Sequence, residues 1–208
     1  MYISPAGFAI EKIVCINLRL RTDRLKLVKE ELKRAGMLEH TEFLHPELHT
    51  EPKIGYSQSY VRALQMCRGY TSLIVEDDVL FTGDGTFDNA FHQLPTGWDM
   101  LYLGGNVRTR NPEKVSANLW RAHNTWCTHA NLYHASMIDW MLDFFPVPET
   151  MLNLTDIFDE WLRVIAQPQK NCYIVKPFLA VQREDWSDLE NRATTYGPMW
   201  RVVQRNLC

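Results

Sequence analysis

The sequence predicts one α/β domain over residues 1–208, a mixed and mostly parallel sheet flanked by helices. Two patterns predict it. Apolar runs of three or four residues recur along the chain, and between them apolar positions fall three or four apart with charges on the opposite face. Several runs end in polar or glycine residues, as in an open sheet whose ligands bind beyond the carboxyl ends of its strands. Hydrophobic residues make up 46% of the 208, enough for one sizeable core.

Ile13-Val14-Cys15-Ile16 is the first expected strand, closed by Asn17. From Thr22 the period changes: Leu25, Val28, Leu32 and Ala35 share a helix face, and Gly36 ends it. A second helix is expected over about Ser57–Cys67 with Val61, Leu64 and Cys67 inward. After Gly69, Ser72-Leu73-Ile74-Val75 reads as a strand that runs into Glu76-Asp77-Asp78. Met100-Leu101-Tyr102-Leu103 is a further strand stopped by Gly104-Gly105, whereas Asn106–Ser116 has neither periodicity and reads as a mobile loop. Asn131-Leu132-Tyr133 precedes a helix through Met137, Ile138, Met141 and Leu142 that stops ahead of Pro146. Another helix over about Asp156–Ala166 buries Ile157, Trp161, Leu162 and Ile165, and Cys172–Val175 supplies a late strand.

Charge is close to balanced, 22 basic against 25 acidic residues for a net of −3, which argues against a disordered or tail-like chain. It gives no global attraction to nucleic acid or to anionic membranes. Cys15, Cys67, Cys127, Cys172 and Cys208 are odd in number and widely spaced among mostly apolar neighbours, the pattern of buried thiols in a reducing, cytosolic setting. Met1–Ile10 lacks a basic start followed by a long apolar segment, and no stretch approaches bilayer length, so work on membrane-linked substrates would be peripheral. Neither GxGxxG nor GxxxxGK[ST] nor an internal repeat occurs, which disfavours a dinucleotide fold or a P-loop kinase.

The most informative feature is Glu76-Asp77-Asp78 at the end of an apolar run. Three adjacent carboxylates repel one another, and a hard divalent cation bound through oxygen is the simplest compensation. The triplet alone reads equally as a cation-diphosphate site and as a solvated turn. Arg19, Arg21 and Arg24 stand at the entrance of the first helix, where guanidinium forks and helix N-terminal amides both suit phosphate oxygens, or where they form a basic solvated turn.

Taken in order, Asn17-Leu18-x-x-Arg21-x-x-Arg24, then Ile54-Gly55-Tyr56-Ser57-Gln58-Ser59, then the strand ending in Glu76-Asp77-Asp78, then Gly97-Trp98-Asp99-Met100-Leu101-Tyr102-Leu103-Gly104 resemble glycosyltransferase family 25, the lipopolysaccharide-biosynthesis type. The resemblance continues through Thr128-His129-Ala130-Asn131-Leu132-Tyr133, Lys176-Pro177 to Gln182, and Trp186-Ser187-Asp188-Leu189, covering about residues 12–190. It implies a GT-A-like fold, a nucleotide-sugar donor (usually a UDP-sugar), Mn2+ or Mg2+, and inverting transfer to a hydroxyl of a saccharide or other macromolecule. Two positions depart from the family: Ser59-Tyr60 stands where Ser-His is common, and Asn131 replaces an aromatic residue.

Under that resemblance Asp78 and Glu76 hold the metal, with Asp78 the first choice and Asp77 orienting the ribose or the loop. Donor binding falls to Asn17, Arg19, Arg24, Glu76, Asp77, Gly104 and Gly105, Asn17 because its side-chain amide both donates and accepts. A carboxylate must take the acceptor proton, and the acidic segment Asp156-Ile157-Phe158-Asp159-Glu160 offers Asp159 first and Asp156 second, the latter also suited to a helix cap. His129, Trp186 and Asp188 are candidates for the acceptor side of the cleft. His123, Cys127, His129 and His134 match no zinc spacing. Two alternatives stay open: a catalytically silent nucleotide-sugar or glycan-binding module, and transfer to modified nucleic acid through Arg108, Arg110, Lys114 and the first basic helix, which the net charge does not favour.

Overall fold

A computed structural model of the chain describes residues 1–4, 7–83, 90–146, 149–150, 153–189 and 192–194. Its centre is a seven-stranded mixed sheet built from β1 (Lys12–Ile16), β2 (Thr41–Leu44), β3 (Ser72–Glu76), β4 (Met100–Tyr102), β5 (Leu119–Arg121), β6 (Ala130–Tyr133) and β7 (Cys172–Val175). The spatial order is β2-β1-β3-β6-β4-β7-β5. β1 runs parallel to β2 and β3, and β7 runs parallel to β4. β6 runs against both of its neighbours and β5 against β7, so five of the seven strands point one way although half of the pairings are antiparallel.

Alternation along the strands sorts the core into two layers. Ile13, Cys15, Leu73, Val75, Leu101 and Leu132 point to one face, where α1 (Thr22–Arg34) lays down Val28 and Leu32. Val14, Ile74 and Tyr102 point to the other, which is covered by α2 (Pro52–Met66), α3 (Ala135–Phe144) and α4 (Phe158–Trp161) through Leu64, Met137, Met141, Phe158 and Trp161. A strand buried on both faces reads as a continuous apolar run, which is why β1 and β3 were visible in the sequence.

The structure departs from the expected elements in four places. α2 begins at Pro52 rather than near Ser57, because proline suits the first helical position and Gly55 lets the helix pass close to His49, where a Cβ would stand 2.6 Å from the His49 Cβ. The expected helix over Asp156–Ala166 is broken into a 3₁₀ turn at Leu154–Asp156, α4, a π turn at Leu162–Ala166 and a last turn at Gln167–Gln169. Asn153 and Asp156 cap the first turn reciprocally, and Pro168, which has no N–H for the Val164 carbonyl, ends regular α geometry. Within Asn106–Ser116, the pair Asn106–Val107 bonds antiparallel to Thr125–Trp126, and Lys114 bridges Trp120. The edge strands β2 and β5 were not expected, because Thr41–Leu44 is only half-buried and carries Thr and Glu, and Leu119–Arg121 ends in an arginine, so neither forms an apolar run.

A further two-stranded piece, Val79–Phe81 against Ala180–Gln182, follows directly on the acidic triplet and sets Gln182 opposite Val79. α1 is tied to it because Glu31 accepts from the Phe81 amide and Arg34 donates to the Phe81 carbonyl. The turn after β3 is therefore braced on both sides. Cys15, Cys67 and Cys172 are buried free thiols and Cys127 is half-buried, while Cys208 lies outside the described residues. Among the described residues no helix is long and apolar enough to cross a membrane.

Candidate functional site

A cleft of about 540 Å³ opens at the carboxyl edge of the sheet. Leu18, Pro46, Leu48 and His49 line the end above β1 and β2, the acidic triplet lines the middle, and Asn106, Arg108, Trp126, Cys127 and Asp159 line the far end. Ser187, Asp188 and Leu189 contribute from the chain after β7. Strand order thus brings the three adjacent carboxylates and Asp159, some eighty positions later in sequence, into one cavity.

The triplet divides its work. Asp77 is 7% exposed and both of its oxygens are taken: Asn17 Nδ2 donates to Oδ2 at 2.7 Å, and Arg24 Nη1 donates to Oδ1 at 3.0 Å. Burial pushes its pKa up and the Arg24 guanidinium pulls it back. Glu76 Oε1 accepts from Thr128 Oγ1 at 2.6 Å and from the Tyr60 hydroxyl at 2.8 Å, and Tyr56 O–H reaches Thr128 Oγ1 at 2.7 Å. A chain of hydroxyls, Tyr56 to Thr128 to Glu76, therefore runs along the cleft wall and opposes the upward shift that burial gives Glu76.

Asp78 is 8% exposed, and only its Oδ2 has a partner, Gln182 Nε2 at 3.3 Å. Oδ1 is buried with no hydrogen-bond partner. Burial first, then repulsion from Glu76 and Asp77, drives the carboxyl well above the usual range. Arg24 and the Gln182 amide offset that charge only in part, so the site suits a cation. Among the described residues no group of three His, Cys, Asp or Glu is arranged to hold a metal ion. An ion at Asp78 and Glu76 would have to complete its shell with water or ligand oxygens, the habit of Mg2+ and Mn2+ at phosphates.

Asp159 sits half-buried in the first turn of α4, where burial and then the neighbouring Glu160 raise its pKa to about 6. Its charge is felt at both Glu76 and Tyr56 across the cavity. Asp156 does not line the cleft; its carboxylate accepts the Asn153 amide at 2.7 Å as a cap.

The remaining sequence candidates separate by position. Asn17 is buried beneath Asp77 and supports it. Arg24 lines the cleft, but its three nitrogens donate to Asp185, Asp77 and the Trp186 carbonyl. Arg19 is exposed and paired with Glu47. Gly104 and Gly105 lie beneath the cleft, where close packing requires them: a Cβ on Gly104 would stand 1.9 Å from the Ala180 carbonyl oxygen, and one on Gly105 3.0 Å from that of Trp126. His129 is fully buried, held neutral by burial that lowers its pKa to about 4, with Nε2 3.3 Å from the Ala180 carbonyl. Asp188 lines the cleft and accepts from Arg21 Nη1 at 2.6 Å, whereas Trp186 is 47% exposed and its side chain does not enter.

Tyr56, Thr128, Gln182 and Trp126 were not singled out as site residues from the sequence, and Arg108 was named only as a contact for a nucleic-acid acceptor. Three of them lie in segments already flagged, Ile54–Ser59, Thr128–Tyr133 and Lys176–Gln182. Sequence spacing marked the segments but not the side chains that turn inward. Cys127, with φ of 92°, adds a left-handed non-glycine residue to the same wall.

No protein-family model matches the chain, and no curated protein matches it.

Proposed function

We propose that the chain is a metal-dependent glycosyltransferase of the GT-A type, moving a sugar with inversion from a nucleotide-sugar donor, in the first instance a UDP-sugar, to a hydroxyl of a glycan or modified macromolecule. One observation carries the reading: Asp78, a buried carboxylate with one oxygen unpartnered, lines the same cleft as a second carboxylate, Asp159, with a pKa of about 6. A divalent ion held by Asp78 and Glu76 would neutralise the departing diphosphate. Asp159 takes the acceptor proton as the new bond to the anomeric carbon forms and the bond to the diphosphate oxygen breaks. The hydroxyl chain from Tyr56 through Thr128 fixes Glu76, and the Arg24–Asp77–Asn17 cluster fixes the turn that carries Asp78. The apolar end at Pro46 and Leu48 offers room for a nucleobase. Cytoplasmic action on a lipopolysaccharide-type glycan belongs to the same proposal.

The test is a thermal-shift screen of nucleotide sugars with and without Mn2+, followed by measurement of nucleotide release. A rise in melting temperature that needs both Mn2+ and one nucleotide sugar, with UDP released when acceptor is added, is expected. No Mn2+-dependent shift with any nucleotide sugar overturns the proposal. Saturable binding without nucleotide release identifies a binding module instead.

A further inference from the structure

We infer that the far end of the cleft recognises an anionic group, a carboxylate or a phosphate, on the saccharide that enters there, and that Arg108 is the residue that reads it. The inference rests on the glycosyltransferase reading for calling that saccharide an acceptor, but the anion site stands on its own observations.

The cations around the cavity are unequal. Arg24 is spent on Asp77, Asp185 and the Trp186 carbonyl, and Arg21 on Asp23, Asp185 and Asp188. Arg163, behind the wall, is spent on Glu160 at 2.7 Å and on Asn124. Arg108 lines the cleft, is exposed, and stands in no ion pair among the described residues. Its guanidinium lies 4.7 Å from the centre of the Trp126 ring. That ring is itself pinned, since Nε1 donates to Glu160 Oε1 at 2.9 Å and Arg163 lies 4.4 Å from the same centre. The cation–π contact restrains the fork without using its N–H donors, which leaves them available to a ligand at a reduced entropic cost.

Position assigns the fork to the acceptor side. Asn106–Val107 extends from β4 and pairs with Thr125–Trp126, so Arg108 belongs to the wall of Trp126, Glu160 and Asp159. Pro46 and Leu48 lie at the opposite end, above β2, with the triplet between. Glu76, Asp78 and Asp159 in the same lining repel an anion, and Arg24 there is committed to Asp77 and Asp185, so Arg108 offers an anionic ligand an uncommitted fork on the wall of Trp126, which favours one orientation as well as one class of ligand.

The experiment measures binding of galactose, galacturonate and galactose 6-phosphate by calorimetry in the presence of chelator, so that no metal can bridge the anion. The wild type should bind at least one anionic sugar about tenfold or more tightly than galactose, as charge-assisted bidentate hydrogen bonds provide. Arg108→Gln should erase the preference and Arg108→Lys should keep part of it, with melting temperatures unchanged because the side chain is exposed. A preference for only one of the two anions tells whether the group is a carboxylate or a phosphate. Equal affinity for all three sugars, or a preference that survives in Arg108→Gln, overturns the inference. UDP with Mn2+ is titrated in parallel. Loss of that binding in Arg108→Gln would assign the fork to the donor diphosphate and overturn it too. Absence of UDP–Mn2+ binding in the wild type with the anion preference intact would sink the glycosyltransferase reading alone.

Discussion

Asp77 and Asp78 are the same residue type, adjacent in sequence and equally shielded at 7% and 8% exposure, yet the protein treats them in opposite ways. Asp77 is met on both oxygens by Asn17 and Arg24, whereas Asp78 has one weak partner and one oxygen with none. The first is a clasp that fastens β1 and α1 to the turn after β3. The second is a buried carboxyl only partly compensated, by Gln182 and the more distant Arg24, a cost that a fold retains where a ligand can supply the missing partner. Two carboxylates side by side are thus separated into structure and chemistry by what lies opposite each.

The sharpest way to break this contrast is Asp78→Ala. Metal-dependent donor turnover should fall about a thousandfold, while the melting temperature at neutral pH stays at or above that of the wild type, because the substitution removes a carboxylate that burial, Glu76 and Asp77 all disfavour. A large loss of stability would show that Asp78 is a second clasp.

Asp159→Asn should lower turnover by about a hundredfold or more. On the proposed mechanism, in which Asp159 is the base and works only when ionised, the wild-type rate should fall about tenfold per pH unit below about 6 and level off above. The same carboxyl stabilises the fold while protonated and loses that contribution as pH climbs through about 6. The Asn variant should therefore gain most over the wild type at neutral pH and least in acid, a difference that thermal melts across the pH range would read.

Asp77→Ala should do the reverse of Asp78→Ala. It strips a carboxylate from the buried Arg24 and leaves the Asn17 amide with the Arg21 carbonyl alone, at a cost of about 3 kcal/mol, or roughly 6–12 °C in melting temperature for a domain of this size. Any loss of turnover should follow the unfolded fraction. The smallest effect belongs to Arg19→Ala, whose exposed pair with Glu47 should contribute under about 1 kcal/mol and whose loss should leave donor binding unchanged. Weakened donor binding there would return Arg19 to the site.

Most of the sheet was legible because β1, β3, β4, β6 and β7 are buried on both faces and so appear as apolar runs, and because α1 and α3 keep a clean period. The expected helix at Asp156–Ala166 is present in its main part, helical from Phe158 to Gln169, but apolar spacing did not show its π turn at Leu162–Ala166 or the separate capped turn at Leu154–Asp156 that precedes it. Gly104 and Gly105 were read toward a ligand because they end a strand at the right edge of the sheet. The close backbone of Ala180, nearly eighty residues away, gives Gly104 a packing reason that local sequence does not contain.

The sequence alone determined that three carboxylates would stand at the end of a buried strand, since the apolar run and the charges that follow it are local facts. Only the tertiary structure decided which of the three would be neutralised, which would be left bare, and that Asp159 and an unspent Arg108 would face them. Those outcomes depend on Asn17, Arg24, Gln182 and Trp126, brought in from distant parts of the chain by strand crossovers. A side chain's charge is written in its own codon, but the cost of burying that charge is set by its neighbours in space.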